Sequence, residues 1–272
     1  MPLEESGNML TLAAMISKIE GNTNWVNTYW NICTRWVNYL VNNGQDPDTQ
    51  LCTDDFAGHW AHNANLSIKA IMGVAGYAEM CKMRGREDLY TRYMDIAKKM
   101  AQVWEIDARD GDHYKLAFDR GGTWSQKYNL VWDKLWGINI FHKQVQEREI
   151  KYYLTKQNTW GLPLDNREKY TKSDWIIWTA SMSPDIETFL KFSDPMWKWF
   201  NETTDRVPMC DWYYTDSKRM RGFRARSVIG GHWMRVLMDK YAPKDDSPET
   251  NWAPQGFKIK TKWAAEVNPQ NP

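Results

Sequence analysis

Leu66-Ser67-Ile68-Lys69-Ala70-Ile71-Met72-Gly73-Val74-Ala75-Gly76-Tyr77-Ala78-Glu79-Met80 is small and apolar on nearly every side of a helical projection. A helix with no polar face has nothing to offer water, so this stretch predicts an inner helix covered all round. The next segment behaves differently. Leu89, Tyr93, Ile96, Met100 and Trp104 form one stripe, with Arg92, Asp95, Lys98 and Lys99 elsewhere. That pattern predicts an outer helix, half in water, lying on its predecessor.

The same alternation recurs on both sides of this pair. Asn8 to Ile19 is apolar nearly all round, and Thr23 to Asn42 is striped by Val26, Trp30, Cys33, Val37 and Leu40. Downstream, a short helix is expected at Leu130 to Leu135 and a second at Gln144 to Gln157. Trp175 to Ala180 is wholly apolar, and Ser183-Pro184 reads as N-cap and first-turn proline of a helix to about Phe200. Ser227 to Lys240 reads as one more inner helix. Inner helices are thus expected to begin near Asn8, Asn63, Asn129, Ser173 and Ser227. Buried helix followed by exposed helix, repeated, is the requirement of a ring of helical hairpins: an all-α (α/α) toroid over residues 1–241, with 242–272 as a tail or strap.

Connections within a pair are short, as at Gly21-Asn22 and Arg84-Gly85-Arg86. Those between pairs are long: Gly44 to Asn63, Asp107 to Asn129, Asn158 to Ser173, and Asn201 to Ser227. Links of this length in a compact domain serve a function or are disordered, and these are too aromatic for disorder. In a hairpin ring they reach the same end, where they form one funnel. Carboxylates and aromatic rings converging there suit general acid and base catalysis on a neutral polar substrate. The catalytic candidates are Glu5, Asp54, Asp55, Asp133, Asp165 and Asp174. Asn63, Asn65, Trp124, Tyr128, Arg167, Trp175 and Arg226 are the candidates for holding substrate. Taken singly, the plainer reading of each carboxylate is a helix cap or an arginine partner. For Asn63 or Asn65 it is the cap of the helix that follows.

Composition narrows the chemistry. Lys and Arg number 35 against 34 Asp and Glu, a balance of +1 that points away from nucleic acid and anionic membranes. No apolar run approaches the roughly 18 residues a membrane span needs. Four cysteines lie too far apart for a Cys-x-x-Cys motif. His59 and His62 have no evident third ligand, and no phosphate-binding or serine-elbow motif occurs, so neither metal nor cofactor is expected. The 17 Trp, 13 Tyr and 8 Phe furnish cores and ligand-facing surfaces alike. No signal peptide opens the chain.

Several segments, in order, resemble the glutaminase A family: Pro2-Leu3-Glu4-Glu5-Ser6-Gly7-Asn8-Met9, Thr53-Asp54-Asp55-Phe56-Ala57-Gly58, Asn65-Leu66-Ser67-Ile68-Lys69-Ala70-Ile71, Tyr128-Asn129-Leu130-Val131-Trp132-Asp133-Lys134-Leu135, Gly161-Leu162-Pro163-Leu164-Asp165-Asn166-Arg167, Tyr170-Thr171-Lys172-Ser173-Asp174-Trp175, and Gly222-Phe223-Arg224-Ala225-Arg226-Ser227-Val228-Ile229-Gly230-Gly231. The resemblance implies a six-hairpin, glycosidase-like domain of a secreted or periplasmic hydrolase that releases ammonia from glutamine. Three readings stand: an amidohydrolase on glutamine or a related amide, a glycoside hydrolase or sugar-binding relative using paired carboxylates, and a non-catalytic fragment. Six hairpins need twelve helices, and the segments above make nine: two in each of four pairs, plus one. The expectation is an open arc whose first helix exposes apolar flanks, a seam either covered by a second copy of the chain or closed by a further helix within the long links.

Overall fold

The computed structural model describes residues 1–52 and 57–243. Asp54 and Asp55, and nearly all of the expected tail, lie outside the described residues. The described part is mostly helical: α1 (Pro2–Glu20), α2 (Asn24–Thr28), α3 (Trp30–Asn43), α4 (Ala64–Met83), α5 (Glu87–Ala108), α6 (Val131–Trp136), α7 (Lys143–Leu154), α8 (Ser173–Ser181), α9 (Ile186–Glu202) and α10 (Met234–Tyr241). Short 3-10 segments at Tyr128–Leu130 and Ser227–Trp233 lead into α6 and α10.

The expected division of labour holds. α4 is buried along almost its whole length, whereas α5 buries one face through Tyr93, Met94, Ala97, Met100, Ala101 and Trp104. α1 packs on α4, α4 on the 128–130 turn, that turn on α8, and α8 on the 227–233 segment and α10; α3, α5 and α9 cover them from outside. Glycine permits the closest of these approaches. A Cβ on Gly73 would sit 3.1 Å from Gly7 Cα and 2.7 Å from Leu40 Cδ1, so a side chain there would drive α4 off α1 and α3. Leu12 and Ile19, on one side of α1, remain 52% and 45% exposed.

Four boundaries differ from the sequence expectation. α1 begins at Pro2 rather than Asn8, because proline suits the first helical turn, where its missing N–H costs nothing. The expected helix from Thr23 breaks at Tyr29 (φ −111°, ψ 14°) into α2 and α3. The cap of α9 is Asp185, whose side chain accepts from Thr188 N–H at 2.7 Å, not Ser183. The expected helix from Ser227 is 3-10 as far as Trp233, since the pair Gly230-Gly231 weakens α-helical propensity there.

The all-α expectation also needs correction. β1 (Arg109–Asp110) and β2 (His113–Tyr114) form a small hairpin, and β3 (Tyr170–Lys172), β4 (Cys210–Tyr214) and β5 (Met220–Arg224) form an antiparallel sheet in that order. The aromatic residues of Trp212-Tyr213-Tyr214, read as loop furniture, suit a pleated, half-buried strand.

The strands belong to the long links, and those links are joined to one another. Ala64 N–H donates to Leu116 O at 2.8 Å, Gln126 N–H to Leu164 O at 2.8 Å, and Trp160 N–H to Thr215 O at 2.9 Å. Arg167 reaches the Gly58 carbonyl and lies 4.8 Å from the Trp60 ring centroid, with Arg120 4.0 Å from the same ring.

Candidate active site

Four helix beginnings meet under these links. Lys69, on the buried face of α4, reaches Glu4 of α1 through a 2.7 Å Nζ to Oε1 bond, both side chains almost wholly buried. Its Nζ is also 5.9 Å from the ring centroid of Trp175, which stacks on Tyr128 at 4.0 Å and an interplanar angle of 2°. The N-terminal turns of α1, α4 and α8 and the 128–130 turn are thereby brought to one place. Neither of two polar atoms buried there, Trp175 Nε1 and Asn129 Oδ1, has a hydrogen-bond partner among the described residues.

Asp174 is the group least satisfied by its surroundings. It is 2% exposed, and its Oδ1 has no hydrogen-bond partner among the described residues. Burial pushes its carboxyl up to about 6, against the pull of the neighbouring Lys172. Lys172 forms an ion pair with Asp211 of β4, and Arg226 grips the same carboxylate through Nη2 at 2.6 Å and Nε at 3.2 Å. Burial alone would raise Asp211, but its bonds to Arg226 and Lys172 together outweigh burial and hold it below the ordinary carboxylate range. The amine of Lys172 is lowered, by burial first, with Asp174 and Asp211 opposing. Two acids in mutual electrostatic reach are thus driven apart, one toward its neutral form and one firmly ionised.

The surroundings are tight. A Cβ on Gly231 would stand 2.8 Å from Asp174 Cβ and 3.0 Å from Trp178 Nε1, so the 227–233 segment lies directly on Asp174. Phe223 and Ala225 hold left-handed backbone (φ 59° and 53°), and the Phe223 ring centroid lies 4.0 Å from the Arg226 guanidinium. Such a conformation costs a bulky residue about 1–3 kcal/mol and occurs where the surrounding structure demands it.

Of the residues singled out from sequence, Asp174, Trp175, Tyr128 and Arg226 come together here. Others are engaged in holding the frame. Asn63 caps α4, its Oδ1 accepting from Leu66 N–H at 2.8 Å, and Asn65 O accepts from Asn129 Nδ2 at 3.1 Å. Both oxygens of Asp133 are taken by the N–H groups of Ile140 and Phe141, at 3.1 and 3.0 Å, where they fasten the turn after α6. Asp165 accepts from the backbone and guanidinium of Arg167, and that pair braces the links. Trp124 packs on Tyr152 and Tyr153 of α7. Glu5 is exposed beside Asn8, whose Nδ2 donates to it at 3.4 Å. The buried acid at that helix start is its neighbour Glu4.

Glu4, Lys69, Lys172 and Asp211 were not among the candidates. Lys69 had a signal: a lone cation inside an otherwise apolar run must be paired, because an unpaired buried ammonium is too costly. Asp211 lies in one of the links expected to converge, but its burial had no signal, since the burial of a strand residue follows from which strands it joins. Among the described residues no group of His, Cys, Asp and Glu is arranged to hold a metal.

The described residues thus form stacked helical hairpins joined at one end by linked loops, which lie over a buried acid, Asp174, whose Oδ1 has no hydrogen-bond partner among the described residues. The family model for the glutaminase A six helical-hairpin domain matches residues 1–236, and the chain belongs to that family. It is 31% identical to Glutaminase A of Aspergillus oryzae over 245 residues, 88% of this chain and 35% of that protein. It is also 31% identical to Probable glutaminase/05536 of Arthroderma benhamiae over 249 residues, 79% of this chain and 29% of that protein. The chain therefore spans about a third of the length of these relatives.

Proposed function

We propose that this domain hydrolyses the side-chain amide of glutamine, or of a closely related small polar amide, at the mouth around Asp174. The observation that carries the reading is the unpartnered oxygen of Asp174 beside the ionised, doubly gripped Asp211. A carboxyl poised near 6 changes protonation state close to neutral pH, so it can give a hydrogen bond to the substrate or accept one from it as charge moves at the reacting centre. Arg226 is 35% exposed while holding Asp211, which leaves part of its guanidinium for the α-carboxylate of an amino acid. The names of the two relatives support the choice of glutamine. The succession α1, α4, 128–130, α8 and 227–233, each packed on the last, supports the finer reading of the fold as part of an (α/α) toroid.

The test is ammonia release from L-glutamine by the purified chain, run beside a panel of aryl glycosides. Release from glutamine that disappears in Asp174→Asn supports the proposal. Cleavage of the glycosides alone transfers the paired acids to glycosidase chemistry, and cleavage of neither substrate sinks the catalytic reading of this chain.

A further inference from the structure

Amide hydrolysis through an acyl-enzyme needs a nucleophile beside a base, and the sequence shows no motif that supplies one. The folded chain brings such a pair together from residues 59 positions apart. Ser173 Oγ and His232 Nε2 are 2.9 Å from each other, immediately next to Asp174. From the juxtaposition of Ser173 and His232 at the start of α8 we infer that Ser173 is the nucleophile of the amide hydrolysis and His232 its general base. This inference rests on the amide-hydrolase reading above.

Each part of the pair has what the task requires. With Nδ1 carrying the proton, Nε2 accepts from the serine hydroxyl. The ring of His232 is fixed by an edge-on contact with Phe200, 6.2 Å between centroids. Burial holds the imidazole below its ordinary range, so it is the neutral base at neutral pH; Asp211 acts in the opposite sense and favours the imidazolium once it forms. Lys172, Asp174 and Arg226 complete the charged groups at this junction. Ser173 is the first residue of a nine-residue helix, whose first-turn N–H groups have no partner within the helix and are the kind of donor that steadies an oxygen gaining charge.

The chemistry balances within these groups. Oγ attacks the amide carbonyl carbon as its proton passes to Nε2. The carbon–nitrogen bond breaks as the imidazolium returns that proton to nitrogen, which leaves as ammonia, and an ester on Ser173 remains. Water then attacks the ester with His232 taking its proton and handing it to Oγ, and the free acid departs. Ser173 is wholly buried under the 227–233 segment, whose own residues are exposed or, like His232, half-buried, and a Cβ on Gly230 would meet nothing within 4 Å.

A fluorophosphonate, which transfers its phosphonyl group to an activated serine and releases fluoride, tests the nucleophile without any reference to glutamine. The intact chain should gain a single adduct, mapped by peptide mass to Ser173, and the labelling rate should fall at least about a hundredfold in His232→Gln. A chain that leaves Ser173 unlabelled, or a folded His232→Gln variant that labels at the wild-type rate, overturns the inference. So does a cooperatively melting Ser173→Ala variant that still releases ammonia at the wild-type rate. Labelling at Ser173 in a chain that releases no ammonia from glutamine upholds the nucleophile and overturns the choice of substrate instead.

Discussion

Asp174→Asn should stabilise the protein at pH 8 and do little at pH 4. Burial lifts the Asp174 carboxyl from 3.8 to about 6, so the folded state holds its proton over a range in which the unfolded chain has released it. The stability this proton contributes is complete below the unfolded value and is lost as pH rises through the folded one. At about 1.4 kcal/mol per pH unit, the span from 3.8 to about 6 amounts to about 3 kcal/mol withdrawn between pH 4 and pH 8. Asparagine has the same shape and cannot ionise, so the variant does not suffer the loss. Urea unfolding followed by tryptophan fluorescence at pH 4, 6 and 8 reads the difference. Its growth with pH, together with the loss of ammonia release, marks a group kept at the expense of stability. A difference that stays constant across that range would show that Asp174 ionises where an exposed aspartate does, and the argument for its poised protonation would go with it.

Asp133, also pushed by burial to about 6, differs in having both oxygens engaged: Asp133→Asn turns an N–H₂ group toward one of two backbone donors and should cost about 1–3 kcal/mol at pH 4, a cost that shrinks toward pH 8 as the wild type alone loses the stability of its carboxyl proton, measured by the same unfolding curves. Lys69→Met removes the buried ammonium that pairs with Glu4 and should cost about 3–5 kcal/mol, part of it recovered in the double variant with Glu4→Gln; a double variant no more stable than the single one would detach the two residues. Gly231→Ala should abolish turnover by wedging the 227–233 segment off Asp174, whereas Gly230→Ala, in open space, should leave kcat/KM within about twofold, and equal effects would remove that segment from the site.

Periodicity made the helices legible, since an apolar run with no polar face has only one place to go. It placed the start of α4 at Asn63 and the start of α8 at Ser173. The convergence of the links followed from topology, as the bonds between residues 64 and 116, 126 and 164, and 160 and 215 bear out. What sequence did not carry was the partner of each polar side chain. Asp174 and Asp133 look alike in the chain, an acid near the start of an apolar helix, yet Asp133 finds two backbone donors and Asp174 has an oxygen with no hydrogen-bond partner among the described residues. Ser173 and His232 meet only because the 227–233 segment folds back over α8, a contact no local pattern encodes.

The links that roof the mouth are sewn together mainly through main-chain groups, and every residue but proline carries the same main-chain donor. These main-chain stitches survive any change of side chain that leaves the backbone path alone, in contrast to the side-chain braces of Gln126 and Arg167 beside them. The corollary is a narrow vulnerability. Proline at position 64, 126 or 160 deletes one stitch outright, a loss that no choice of neighbouring side chain restores.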